Sequence, residues 1–305
     1  MRRTSRIALV GATALSLGTT LALTASSPAS AVSSPAPVRH LMKTLSSVGD
    51  LQENRLPVIG GAPVGLPLSY HSGDVELTNT NYAIFWEPAG HASSPTYQTL
   101  IKRWFNDVGG SALFNTTTEY YQTSQGPQQN IQNVSTFGGS YVDTTTFPSG
   151  GITDADVQAA VGRALAANPT WQAGIGHEFF VYSGPGGETV SSYCAYHGSF
   201  TLNGQTTLYA DEPYGGQSGC TVPQSPNGDP AADSAINTTS HEQWETITDP
   251  VSGWYALDGD EGSDQCNFQF GTTDANGADV VLHNHGYIVQ QEWRNSLAPL
   301  GCTMS

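Results

Sequence analysis

The chain predicts an α+β fold: one domain with a mixed sheet, a helix bearing a metal-ligand pattern and a loop-rich, disulfide-bonded C-terminal part. Three observations predict it. Apolar strand-like runs alternate with stretches of helical spacing. His241-Glu242-Gln243-Trp244-Glu245 falls inside the last long helical stretch. All four cysteines, Cys194, Cys220, Cys266 and Cys302, lie towards the C-terminus.

Taken in order, residues 1–31 read as an export signal peptide. Arg2, Arg3 and Arg6 give a positive start, residues 7–23 are apolar and Ala-rich, and Ala29-Ser30-Ala31 is a small-residue cleavage site. The mature protein is therefore expected outside the cell, secreted or cell-wall-associated. Residues 32–66 are rich in Ser, Pro and Gly with little periodicity and read as a linker or pro-segment. The domain is expected over 67–305. Asn81-Tyr82-Ala83-Ile84-Phe85-Trp86 is a compact apolar run that predicts a buried strand. Leu100, Ile101, Trp104 and Phe105 predict a helix over 97–108, with a second short helix over 116–123 and a strand over 130–137. Val157, Val161 and Leu165, spaced at four, predict a helix over 154–167. Strands are expected at 179–182 and 207–210, separated by a Gly-rich, cysteine-bearing stretch. In the next helix Asp229 is a good N-cap and Pro230 a good first residue. Asp249-Pro250 ends it, because proline disfavours a helical residue before it. A last strand is expected at 287–293.

Composition narrows the partners. The whole chain carries 10 basic and 26 acidic residues, and without residues 1–31 it keeps 7 basic against 26 acidic, a net charge of −19. Such a surface repels nucleic acid and anionic membranes, so neither is an expected partner. No later stretch is long and apolar enough to span a bilayer. In an exported chain four cysteines favour two disulfides, and of three pairings the most local, Cys194–Cys220 and Cys266–Cys302, are preferred. The six tryptophans sit mostly in apolar contexts and are expected in the core.

The chemistry centres on His241 and Glu245. Four apart on a helix, their side chains share a face. Glu242 holds the place of the general base in H-E-x-x-H zinc peptidases, and glutamate in place of the second histidine still binds zinc through oxygen. The acidic stretch 258–264 should supply the third ligand, Glu261 first and Asp264 second, with His283 and His285 as histidine alternatives. Zinc would lower the pKa of bound water and Glu242 would take its proton, the chemistry of a zinc-dependent hydrolase acting on a peptide or protein. Calcium is the alternative ion, although 258–264 lacks EF-hand spacing. The competing reading gives His241 a structural hydrogen bond to a carboxylate. His177-Glu178 is a decoy, since strand alternation sends its side chains to opposite faces. His197 reads more readily as structural than as part of a site. No Gly-x-Ser-x-Gly elbow is present, and no P-loop lysine follows the turn at Ser183-Gly184-Pro185-Gly186-Gly187. The element order suits a zincin-like domain. The only late methionine is Met304, so a Met-turn after the helix is lacking.

An ordered set of motifs resembles the EXORDIUM / phosphate-induced protein family. It comprises Tyr193-Cys194-Ala195-Tyr196-His197-Gly198, His241-Glu242-x-x-Glu245-x-x-Thr248-Asp249-Pro250, Gly253-Trp254-Tyr255-Ala256, Glu261-x-x-Asp264-x-Cys266 and Tyr287-x-Val289-Gln290-x-x-Trp293. Tyr70-His71-x-Gly73 matches more loosely, and the resemblance covers most of 67–305. It implies a secreted, wall-associated protein with no assigned reaction, and it adds weight to a metal site at His241, Glu245 and Glu261. The non-enzymatic alternative is an extracellular binding protein for a cell-wall component, its metal structural or absent.

Overall fold

In the computed structural model, residues 39–43, 65–188, 192–297 and 300–305 are described. Six strands form one mixed sheet: β1 (Arg39–Lys43), β2 (Asn79–Trp86), β3 (Ser135–Asp143), β4 (His177–Ser183), β5 (Tyr193–Leu202) and β6 (Gln205–Glu212). Their spatial order is β1-β5-β6-β4-β2-β3. The pairs β2/β3, β2/β4 and β4/β6 are parallel, whereas β5 runs antiparallel to both β6 and β1. Parallel neighbours need crossover connections. Helix α1 (Pro95–Asp107) lies between β2 and β3 in the chain, and α2 (Asp154–Ala167) between β3 and β4.

Helices cover both faces of the sheet, which is why β2 and β4 read as unbroken apolar runs. Tyr82, Ile84, Trp86, Phe179 and Val181 point to α2 and meet Val157, Ala160, Val161 and Ala164. The alternate residues Ala83, Phe85, Phe180 and Tyr182 join Ile101, Trp104 and Phe105 of α1 on the other face. There they also meet Ala235, Ile236 and Ile247 of α3 (Pro230–Thr248).

Helix α3 starts and stops as its sequence predicts. The Asp229 side chain accepts from the Ala232 N–H, Pro230 opens the first turn, and Asp249 closes the last. Ala232–Thr248 is buried on every side, because the chain after Pro250 returns over the face turned away from the sheet. Ser263 Oγ donates to the His241 carbonyl (3.2 Å), and Gln290 N–H donates to Asn237 Oδ1 (2.8 Å). Disulfides Cys194–Cys220 (Cα–Cα 5.4 Å) and Cys266–Cys302 (5.7 Å) are the local pairs expected, the second tying this return together. Disulfides are compatible with an extracellular location. Among the described residues no helix is long and apolar enough to cross a membrane.

Four expectations shift. Part of the stretch read as a linker, 32–66, is structural: Arg39–Lys43 is the edge strand β1, while 44–64 lies outside the described residues. The short helix at 116–123 is a 3₁₀ turn at Phe114–Glu119. The strand placed at 130–137 becomes Ser135–Asp143, its pattern broken by Gly138, where a Cβ would come within 2.4 Å of the Tyr82 ring. The strand expected at 287–293 is divided into His285–Tyr287 and Glu292–Arg294. The Gly-rich, cysteine-bearing stretch between the two expected strands contains a third, β5.

Candidate metal centre

Each residue of the centre is delivered by a different physical device. Helical periodicity puts His241 Nε2 3.3 Å from Glu245 Oε2. The short helix α4 (Gly262–Gln265) brings Asp264 in behind them: its N–H donates to Glu245 Oε1 (2.9 Å), and its Oδ1 stands 3.9 Å from His241 Nε2. From β5, His197 places Nδ1 3.0 Å from Glu242 Oε2 and 3.8 Å from Glu245 Oε2, with Nε2 3.5 Å from Glu261 Oε2. From β1, His40 places Nδ1 3.2 Å from Glu261 Oε2 and stacks on His197 with ring centroids 5.0 Å apart. In an antiparallel pair directly opposed residues share a face, and His40 lies opposite His197.

Three overlapping groups have ligand atoms within 4.8 Å of one another: His241/Glu245/Asp264, His197/Glu242/Glu245 and His40/His197/Glu261. Two ligands each about 2.0–2.1 Å from a tetrahedral zinc lie about 3.4 Å apart, close to the 3.3 Å between His241 and Glu245. The donor atoms are also unspent. His241 Nε2, His197 Nε2, Glu245 Oε2, Glu242 Oε1, both Glu261 oxygens and Asp264 Oδ1 are buried without a hydrogen-bond partner. Buried polar atoms are rarely left so.

Outer contacts set the histidine tautomer. Gln290 donates its amide to the Ser263 carbonyl (2.8 Å), which turns its Oε1 towards His241 Nδ1 (3.2 Å). His241 therefore donates from Nδ1, which would leave Nε2 to a metal ion that displaces its proton, the arrangement that orients histidine ligands.

The electrostatics are unbalanced. Burial, then Glu245 and Glu212, push the Glu242 carboxyl well above its usual range. Burial, then Glu245 and Asp249, do the same to Glu261. Asp264 is raised to about 7, by burial and then Glu245. Burial would raise Glu245 too, but His241 and His197 outweigh it and hold it at about 2. Burial opposes protonation of His241, yet Glu245, Asp264 and Glu292 lift it to about 9. Burial and the neighbouring His40 lower His197 to about 3. Carboxylates crowded at this depth are costly unless a cation joins them, and the His/carboxylate donor set suits a divalent metal. The donors do not single out its identity.

Of the residues expected here, His241, Glu242, Glu245, Glu261 and Asp264 are brought together. Glu261 shares its group with His40 and His197, not with His241, and Asp264 takes the place beside His241 and Glu245. His283 and His285 are elsewhere, 3.6 and 2.6 Å from Asp107. Of the decoy pair, His177 lies near Tyr82 on the α2 face while Glu178 is buried beneath α3, near Thr246. His197, expected to be structural, and His40, which the sequence does not single out, both join the cluster. For His197 a signal existed: Asn203-Gly204, both at positive φ, forms the tight turn that folds β5 onto β6. The stretch 258–264 divides, with Asp258 exposed and Glu261 buried.

Gly262 sets the distance between α4 and α3, since a Cβ there would come within 2.0 Å of Trp244. Gly262→Ala is expected to destabilise the protein by about 1–3 kcal/mol and to weaken metal binding, read by urea unfolding and by zinc titration. Unchanged values in both would show that Trp244 yields.

Comparison of the chain with models of protein families, with curated proteins and with solved structures finds no significant match.

Proposed function

We propose that the protein is a secreted zinc-dependent hydrolase, a metallopeptidase in which His241, Glu245 and Asp264 hold the metal and Glu242 is the general base. The carrying observation is the set of buried, unspent donor atoms that converge from α3, α4 and β5. Asp264 is preferred to Glu261 because it alone of the two groups with His241 and Glu245. The order of the elements suits a zincin-like layout, and the EXORDIUM resemblance adds weight to a metal site on this helix though not to a reaction. Zinc, when bound, would supply Lewis acidity and a water of near-neutral pKa. The chain's own residues do the rest. Glu242, ionised beside a bound cation, could then take a proton at its unpartnered Oε1, while His197 holds Oε2 in place. The Nδ1–H bond to Gln290 keeps His241 in the ligand tautomer. Elemental analysis tests the assignment: about one zinc per chain is expected, lost in His241→Ala. Calcium, or no metal at all, would overturn it.

The complete burial of Glu242 and Glu245 favours a second reading. In it the protein is a non-enzymatic, EXORDIUM-like binder of a cell-wall component, with a structural metal. Binding to wall polysaccharide that is unchanged by Glu242→Gln, with zinc present and no peptide cleaved, would support it.

A further inference from the structure

What buries the centre on its outer side is β1, an edge strand of the sheet. It adds to the β5 edge as an antiparallel ladder from Arg39↔Gly198 to Met42↔Ala195, with an irregularity before Lys43. Adding an extended segment to an exposed sheet edge is how many domains bind peptides: the backbone supplies affinity and alternate side chains supply specificity. Here the alternation is visible. His40 and Met42 point inward, Met42 to the Cys194–Cys220 disulfide and His40 to Glu261, whereas Leu41 points out and is 42% exposed. Lys43 pairs with Asp260 at 3.1 Å and its carbonyl accepts from Asn267 Nδ2 (3.1 Å). The residues that receive β1 thus include an acidic rim, Asp260 and Glu261, ahead of Asp264.

We propose that the β5 edge at residues 193–198 is a binding groove for an extended peptide, and that β1 fills it as an internal, displaceable occupant with His40 over the metal centre. The groove selects a peptide with a ring that stacks over His197, an apolar residue two places on and a basic residue one further, the pattern His40, Met42, Lys43. Its use in catalysis rests on the hydrolase reading; the binding does not. Removal of residues up to Lys43 would free the edge and uncover Glu242 and the metal ligands.

The test keeps the whole chain. A site-specific protease sequence is inserted between Lys43 and Gly65, and a fluorescein-labelled peptide of residues 37–45 is titrated by anisotropy before and after cutting. The peptide is expected to bind the cut protein at least tenfold more tightly than the uncut one, and peptides carrying His40→Ala or Lys43→Glu at least tenfold more weakly. Equal binding before and after the cut, or no binding by cut protein of unchanged circular dichroism, would overturn the groove. Uncut Met42→Asp, which loosens β1 without a cut, should also admit the peptide, and exclusion there would overturn it too. Zinc and peptide hydrolysis are followed on the same samples. Peptide bound without zinc or hydrolysis refutes the hydrolase and keeps the groove; hydrolysis indifferent to the cut refutes the groove and keeps the hydrolase.

Discussion

Glu242→Gln is expected to retain the metal and lower peptide turnover by about 10²–10⁴-fold, the usual contribution of a positioned acid or base. The substitution conserves size in a site with no room to spare, and Glu242 is fully buried. It removes only the capacity to ionise and take a proton at Oε1, the oxygen left without a partner. Two measurements on one preparation decide it: zinc by elemental analysis, and kcat on a mixed peptide library with the occupying strand cut away. Turnover within threefold of wild type would remove Glu242 from the base role, and loss of zinc would move it among the ligands. His197→Ala gives the contrast. It withdraws the imidazole held 3.0 Å from Glu242 and should reduce turnover less, since it orients the carboxylate without replacing it.

The second large effect is structural. Removing the Cys266–Cys302 bridge as Cys266→Ala/Cys302→Ala is expected to cost about 4 kcal/mol, from the loop-closure entropy of a bridge of this span; the cysteines are 36 residues apart. Asp264 sits two residues before Cys266, so the loss should also appear as weaker zinc binding. Urea unfolding at fixed free zinc, with and without chelator, separates the two. A change below about 1 kcal/mol would mean that packing around the buried Trp293 holds the C-terminal return unaided.

Much of this architecture is legible in the residues, and the illegible parts have physical reasons. Helix α3 announces itself at both ends through Asp229-Pro230 and Asp249-Pro250, and α2 falls on its expected span, 154–167. Such signals are local, carried by caps and by a period of 3.6. The cysteine pairing followed from proximity in sequence. What escaped depends on distant neighbours. β1, Arg-His-Leu-Met-Lys, has no pattern of its own and is a strand only because β5 offers it an edge. β5 mixes tyrosines, a cysteine and a glycine, and only the Asn-Gly turn after it betrays its pairing. The third ligand was ambiguous because Glu261 and Asp264 sit three apart around one short helical turn, and both turn inward. His283 and His285 lie at a hairpin turn whose loop geometry carries them to Asp107, which spacing alone does not reveal.

The pairing of β1 with β5 also has a temporal side. β1, the earliest of the described strands to be synthesised, must wait for β5, whose Gly198 partners Arg39 across more than half the domain. Contacts that close so long a loop form late in folding. A strand at the sheet's margin, with one neighbour among the described strands, is also the first to exchange its amide protons. The core strands β2, β4 and β6 should therefore remain protected in deuterium long after β1 has opened, so that a newly made molecule would finish folding by closing over its own candidate metal centre.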